Sequence, residues 1–343
     1  MKTLLNTLYV TTQGAYLAKD GEAVAVRIEN ETKLHIPVHN LGSIVCFGQV
    51  SCSPFVLGLC AERGVTVVFL TERGRFLARV CGPTTGNVLL RREQYRRTDD
   101  PIATAVITRS VVAAKVANSR YGIQRALRDR PGVPGAAKLS AAVRDLSRHL
   151  DQLREAGDLD VLRGIEGSAA RVYFGVFDHL IAQQKEAFFF RERTRRPPLD
   201  NVNALLSFVY TLMRHDIVGG LESVGLDPAV GFLHRDRPGR PSLALDLLEE
   251  FRPYVADRLV LGLVNLRQVS EKDFERTESG GVVMRDEARN LVLVSYQKRK
   301  QEEVVHPFLG ERVAIGLLFH LQALLLARYL RGDLDAYPAF IAR

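Results

Sequence analysis

The feature that most constrains how this chain can fold is a change in the period of its apolar residues. Up to about residue 90, short runs alternate apolar and polar positions, at Leu8–Val10, Ala15–Ala18, Ala23–Ile28, Lys33–Pro37 and Ile44–Phe47. A period of two places successive side chains on opposite faces, so these runs read as half-buried strands. From Ile102 onward the repeat becomes helical, over 102–128, 136–155, 158–190, 200–222, 242–265 and 310–331, with Pro and Gly between the segments. The two patterns predict an α+β chain, with a β-rich, sandwich-like domain over 1–94 and a mainly α-helical domain over 95–343. RREQYRRTDDP, charged and poor in apolar residues, reads as the junction, and a length of 343 residues suits two domains.

Local chemistry refines the outline. Asp20-Gly21 between two alternating runs predicts a tight hairpin, because Gly tolerates the positive φ of a type I′ turn. Pro54–Glu62 has helical spacing, Val65–Leu70 is a β-branched run, and Thr71-Glu72-Arg73-Gly74 then reads as a turn. Gly280–Tyr296 alternates weakly and predicts a small β excursion, followed by the charged run Lys298-Arg299-Lys300.

With 46% hydrophobic and 25% charged residues, the chain can bury a full core without disulfides or structural metal. MKTLLNTLYVTTQG lacks a sustained apolar core and a cleavage site, so no secretory signal is read there. Val313–Leu330 is broken by Gly316, His320, Gln322 and Arg328 and reads as a buried helix, not a membrane span; a cytoplasmic protein is expected. Cys46, Cys52, Cys60 and Cys81 form no CxxC pair and read as reduced core residues, which argues against zinc. Lys and Arg outnumber Asp and Glu by 47 to 39, which suits a polyanionic partner such as DNA.

Three segments carry candidate chemistry. In DVLRGIEGSAARVYFGVF, Glu166 lies at the edge of an apolar stripe; its flanking Gly164 and Gly167 suggest a close backbone approach. A solvated Glu facing Arg163 or Arg171 is the alternative. In GFLHRDRPGRPSLALDLLEEFRP, His234 precedes a helix that Ser242 would cap and on which Asp246 and Glu249 share a face. An imidazole with carboxylates suits Mg²⁺ or Mn²⁺, ions that neutralise charge developing on a phosphodiester. Arg235, Arg237 and Arg240 would then hold phosphate oxygens around that acidic cluster, or else simply pair with it; His234 bonded to Asp236 is the structural alternative. In RRPPLDNVNALLSFVYTLM, Asp200 precedes a helix with Asn203 as a hydrogen bonder near its start and Tyr210 as a core aromatic.

GIEG, PPLDNVNALLSFVYTLM, GFLHRDRPGRPSLALDLLEEFRP and HPF at His306–Phe308, in that order, resemble the CRISPR-associated endonuclease and integrase of the spacer-acquisition module, in particular its subtype I-C branch. The resemblance covers nearly the whole chain and rests on the PPLDNVNALLSFVYTLM helix and the GFLHRDRPGRPSLALDLLEEFRP segment together more than on GIEG alone. It implies Glu166, His234 and Glu249 as ligands of Mg²⁺ or Mn²⁺, with Asp246 auxiliary. It also implies a homodimer formed through the β-domain and a complex with the small ferredoxin-like second Cas adaptation protein. That complex would insert a double-stranded protospacer into the CRISPR repeat by 3′-hydroxyl attack. Glu249 stands where some members carry Asp, which bears on the choice of metal.

The basic runs Arg91–Arg97, Arg191–Arg196 and Lys298–Lys300 are further candidates for DNA-backbone contacts. Two rival readings remain open on the sequence: a structure-specific DNA repair nuclease that works alone, and a non-catalytic DNA-binding scaffold.

Overall fold

The computed structural model describes residues 7–72, 74, 76–80, 82 and 88–342. The chain forms two units, one running to Gly86 and taking in Arg289–Glu302, the other comprising Asn87–Ala288 and Glu303–Arg343.

In the first unit, β2 (Tyr16–Asp20), β3 (Ala23–Ile28) and β4 (Glu31–Pro37) form an antiparallel meander, and β6 (Ser51–Cys52) joins β2 in parallel. Gly21, with φ of 56°, makes the expected tight turn between β2 and β3. A second four-stranded sheet has the order β1 (Thr7–Val10), β5 (Ser43–Phe47), β7 (Thr66–Leu70), β8 (Phe76–Val80). α1 (Pro54–Glu62) begins at Ser53, whose hydroxyl accepts from Val56 N, with Pro54 preset for the first turn. Leu17, Val24 and Val26 of one sheet share a core with Ile44, Cys46 and Val67 of the other and with Val56 and Leu59 of α1. Cys46 and Cys60 are buried thiols; Cys81 and Arg73 lie outside the described residues. Gly74 N donates to Thr71 O at 2.8 Å, closing the turn before β8.

The junction differs from its reading. RREQYRRTDDP is mostly helix, α2 (Val88–Asp99), because one face buries Leu90 and Gln94 while Glu93 and Arg97 pair across a turn on another. The Gln94 amide donates to Asp227 O and Val230 O, both at 2.8 Å, and accepts from Asp227 N, so α2 pins the loop that leads towards His234. Of the run Lys298–Lys300, Arg299 and Lys300 are buried, with Lys300 donating to Thr7 Oγ1 at 3.2 Å; they do not offer a solvated surface to DNA. This run ends α9 (Asp286–Gln301), which occupies most of the expected β excursion; the hairpin is earlier and smaller, β9 (Phe274–Arg276) with β10 (Val282–Met284).

In the second unit, α3 (Pro101–Asp129) starts from an Asp100 cap and packs against α4 (Ala136–Glu155), α5 (Leu159–Gly175) and α7 (Ser242–Phe251). α6 (Asn201–Ser223) packs on α7 and on α10 (Ile315–Leu330), which follows the hairpin β11 (Glu303–Val305) and β12 (Arg312–Ala314). The helix expected over 158–190 stops at Gly175, and the one over 242–265 is interrupted. Between α7 and α8 (Arg258–Asn265) lies a π-helical turn, Arg252–Asp257. Pro253 has no N–H to donate, so the regular hydrogen-bond ladder cannot pass through it. No described helix is long and apolar enough to cross a membrane.

Candidate functional site

α7 is enclosed nearly all round, yet it carries Asp246, Glu249 and Glu250, each at most 2% exposed. A buried carboxylate persists only with partners, so where each one points is decided by what meets it.

Asp246 is turned towards the chain that precedes α7. Its Oδ2 accepts from Phe232 N at 2.6 Å and Leu233 N at 3.0 Å; its Oδ1 accepts from His234 N at 3.0 Å and lies 2.7 Å from His234 Nδ1. This fixes the imidazole tautomer: Nδ1–H donates to Asp246, and Nε2 keeps its lone pair for the cleft. Gly231 makes the approach possible, since a Cβ there would sit 2.8 Å from Asp246 Oδ2 and 2.7 Å from Ser242 C. Arg163 Nε donates to Leu233 O at 2.9 Å and steadies the same loop. Ser242 is the first helical residue, not the cap; Leu243 N and Ala244 N donate to Pro228 O instead.

Glu249 points the other way and meets Glu166 through a lysine. Lys115 Nζ, from the middle of α3, donates to Glu166 Oε1 on α5 and lies 2.8 Å from Glu249 Oε2. Arg252 Nη1, from the π turn, is 2.8 Å from Glu249 Oε1, and His234 Nε2 is 3.9 Å from that same oxygen. Burial would push the Glu249 carboxyl up, but the fixed charges of Arg252 and Lys115 hold it down at about 2. Glu166 thus faces Lys115, not Arg163 or Arg171, and His234 bonds to Asp246, not Asp236. Gly164 and Gly167 serve no close approach: a Cβ at either would meet nothing within 4 Å.

These groups floor a cleft of about 470 Å³ whose wall includes Arg171, Arg191, Arg193, Arg195 and Arg252. Asn203 builds part of that wall. Its amide donates to Glu192 O and accepts from Arg193 Nη1 at 2.7 Å and Thr194 N at 3.2 Å, tying the irregular 192–194 segment to the start of α6. Arg193 and Arg252 both lie over the Tyr210 ring, 5.4 Å and 4.9 Å from its centre. The Tyr210 hydroxyl donates to Asp257 Oδ1 at 2.6 Å, and Tyr173 donates to the other oxygen of the same carboxylate at 2.9 Å. The π turn therefore places Arg252 in the cleft and Asp257 behind the aromatic platform.

Arg235, Arg237 and Arg240 are not among the residues lining the cleft, and Arg235 pairs with Asp160 at 3.2 Å. The arginines that surround the acidic cluster come instead from 191–195, α5 and the π turn. Sequence reasoning passed over Lys115 and Arg252, and reached Arg193 only as part of the basic run Arg191–Arg196. Lys115 had a readable signal, a lone cation following the apolar turn Val111-Val112-Ala113-Ala114 in a helical segment.

The donor set suits a hard divalent ion. Glu166 and Glu249 reach a common point, now taken by an ammonium; His234 Nε2 is oriented towards Glu249; and Glu249 Oε2 is buried without a directed hydrogen bond. Among the described residues, no three carboxylate or imidazole groups are already gathered for a metal, because Lys115 stands between the two carboxylates. Asp246 is spent on four contacts of its own.

The fold and site define a two-unit α+β protein whose helical unit carries a carboxylate–imidazole cluster beneath a wall of arginines. The sequence profile of the CRISPR associated protein Cas1 family matches residues 8–298. CRISPR-associated endonuclease Cas1 1 of Chlorobaculum tepidum is 58% identical over 343 residues, covering 100% of both chains. CRISPR-associated endonuclease Cas1 2 of Rhodospirillum rubrum is 53% identical and covers 98% of each. Among solved structures, a CAS1 protein from Thermotoga maritima superposes with a TM-score of 0.81 at 27% identity, over 97% of this chain and 99% of that one. A casposase bound to integration product shares the fold, with a TM-score of 0.83 at 23% identity, over 97% and 93% of the two chains. The chain belongs to the Cas1 family.

Proposed function

We propose that this chain is a divalent-metal-dependent DNA endonuclease and integrase of CRISPR adaptation. One observation carries the reading: Glu166 and Glu249, on separate helices, converge at the floor of an arginine-walled cleft into which His234 presents a tautomer-fixed Nε2. The relatives named above are endonucleases by name, which supports the same class of chemistry.

Glu166, His234 and Glu249 would hold Mg²⁺ or Mn²⁺, which when bound supplies Lewis-acid charge to a phosphodiester and lowers the pKa of its nucleophile. Asp246 acts behind them as a positioning residue, fixing the imidazole. Arg252 and Arg193, stiffened on Tyr210, present guanidinium N–H groups suited to non-bridging phosphate oxygens. The arginines of 191–195 continue that charge along the wall, where the DNA backbone would run without being read for sequence. With a 3′-hydroxyl as nucleophile the outcome is strand transfer into the repeat; with water it is hydrolysis.

The remaining assignments belong to the same reading. A homodimer through the β-rich unit is supported by β4, an edge strand exposed over most of its length. A complex of Cas1 with Cas2 contains a chain of this fold, and we extend that partner to this chain. Subtype I-C membership rests on the ordered set of GIEG, PPLDNVNALLSFVYTLM, GFLHRDRPGRPSLALDLLEEFRP and HPF segments, and a cytoplasmic site of action follows from the substrate.

The test is strand transfer of a short duplex into a supercoiled plasmid bearing a leader and repeat, with the small partner supplied. Glu166→Gln, His234→Ala and Glu249→Gln are each expected to lower product by about 10³-fold or more, and EDTA to abolish it. Undiminished product in all three variants would sink the assignment. Cleavage of branched DNA without integration would point to a repair nuclease.

A further inference from the structure

We infer that Lys115 is an internal counter-ion of the acidic pair, holding the place between Glu166 and Glu249 and so weakening the centre's affinity for a divalent ion. The inference rests on the metal-centre reading above and adds a residue that works against metal binding.

The position of the lysine carries the argument. Lys115 sits mid-helix on α3 between buried Val111, Val112, Val116 and Ala117, and is 8% exposed. With so little of it in solvent, the ammonium depends on its ion pairs for charge compensation, and its partners in them, Glu166 and Glu249, are the carboxylates assigned to the metal. With Arg252 on Glu249, the two carboxylates already face two fixed cations. The cluster is therefore neutral without any added ion, and a divalent ion entering it meets uncompensated like charge unless Lys115 withdraws. A lysine fits such a role better than an arginine, because a point charge on a flexible stem can swing aside while a bidentate fork cannot.

The test is Mn²⁺ titration of the full-length protein without DNA, followed by electron paramagnetic resonance, for wild type, Lys115→Met and His234→Ala. Lys115→Met is expected to bind Mn²⁺ at least about tenfold more tightly than wild type, and His234→Ala to lose that binding. If His234→Ala leaves Mn²⁺ binding unchanged, the metal-centre reading itself fails. If His234→Ala loses the ion but Lys115→Met binds it no more tightly than wild type, the counter-ion role alone is overturned. Because Lys115→Met leaves two carboxylates facing each other and can compromise folding, a second measurement uses wild type only. Acylation by an amine-reactive reagent, read by peptide mass spectrometry, is expected to rise severalfold at Lys115 when Mn²⁺ saturates the protein, with exposed Lys138 unchanged as the control. Constant labelling of Lys115 in Mn²⁺-saturated protein overturns the proposal.

Discussion

Glu249 and Glu250 are adjacent on one buried helix and carry the same group, but α7 turns them into two different environments. On the cleft side, Glu249 meets Arg252 and Lys115 as well as the His234 imidazole, and although burial alone would raise its pKa, the two cations hold it at about 2. On the far side, Glu250 meets no cation among the described residues. Its Oε1 accepts from the Tyr337 hydroxyl at 2.6 Å, and its Oε2 accepts from Gln322 Nε2 at 3.0 Å and Phe340 N at 2.8 Å. Burial outweighs those hydrogen bonds and pushes Glu250 up to about 7. The same face fastens the end of the chain: Asn118 Nδ2 donates to Glu250 O and Phe340 O, and Ala342 N donates to Asn118 Oδ1. His306 completes it, its Nε2 bonded to Gln322 Oε1 at 2.9 Å while Phe308 N and Leu309 N donate to Nδ1. Burial alone therefore does not decide the charge state of a carboxylate. The cations that face it do.

The largest break in that contrast comes from the cleft side. Arg252→Ala removes one partner of a buried ion pair and is expected to destabilise the protein by about 3–5 kcal/mol in urea unfolding at neutral pH. The variant also moves acid unfolding. A carboxyl whose folded pKa lies below its unfolded value contributes stability that is present above about pH 4.5 and lost as the pH falls towards about 2. Without Arg252 the Glu249 pKa rises towards its unfolded value, so this acid-dependent loss should be smaller in the variant and complete at a higher pH than in wild type. Coincident acid limbs would show that Arg252 does not set the charge state of Glu249.

The same contrast explains how much was legible in the sequence. Asp246 and Glu249 could be placed on one helix from spacing alone, but a helix buried all round has no polar face, and Asp246, Glu249 and Glu250 diverge to three sets of partners. Periodicity gives the angle between side chains, not what meets them. Lys115, some fifty residues before Glu166 and further still from Glu249, joins them only through the packing of α3 on α5 and α7, which no local pattern encodes. The β-rich unit was more readable because hairpin registers follow from turns such as Asp20-Gly21 and from alternation. The α2 segment was misread as a junction because its buried face is narrow, and its key contact is made by a glutamine, Gln94, whose partners lie at 227–230. The π turn was signalled by Pro253, and a proline inside a helical pattern does not say which way Arg252 will swing.

On the far side of α7 the expected effects are smaller and of opposite sign in pH. The folded pKa of Glu250 lies above its unfolded value of 4.5, so between about pH 4.5 and 7 the folded state holds the extra proton and stability falls as the pH rises. Glu250→Gln cannot titrate and can still accept from Gln322 and Phe340 while donating to the Tyr337 hydroxyl. Relative to wild type, the variant should lose less stability between about pH 5 and about pH 8, by on the order of 2 kcal/mol. Parallel stability curves for the two proteins across that range would refute the raised pKa.

Tyr337→Phe is the gentlest test and the one that most sharpens the comparison. It removes the hydroxyl that donates to Glu250 Oε1 and accepts from Gln322 Nε2, leaving the ring in place. Losing one hydrogen bond to a buried carboxyl should cost about 1–2 kcal/mol at neutral pH. The Tyr337 hydroxyl is also one of the groups holding Glu250 down, so its removal should raise the Glu250 pKa further and extend the decline in stability to higher pH. Strand transfer by the folded variant should stay within about threefold of wild type, because no group at the cleft contacts Tyr337 and such a change is under about 1 kcal/mol in barrier. A loss of strand transfer comparable to that of Glu249→Gln, in a variant still folded by circular dichroism, would show that the two faces of α7 act as one unit and that the partition by cations is wrong.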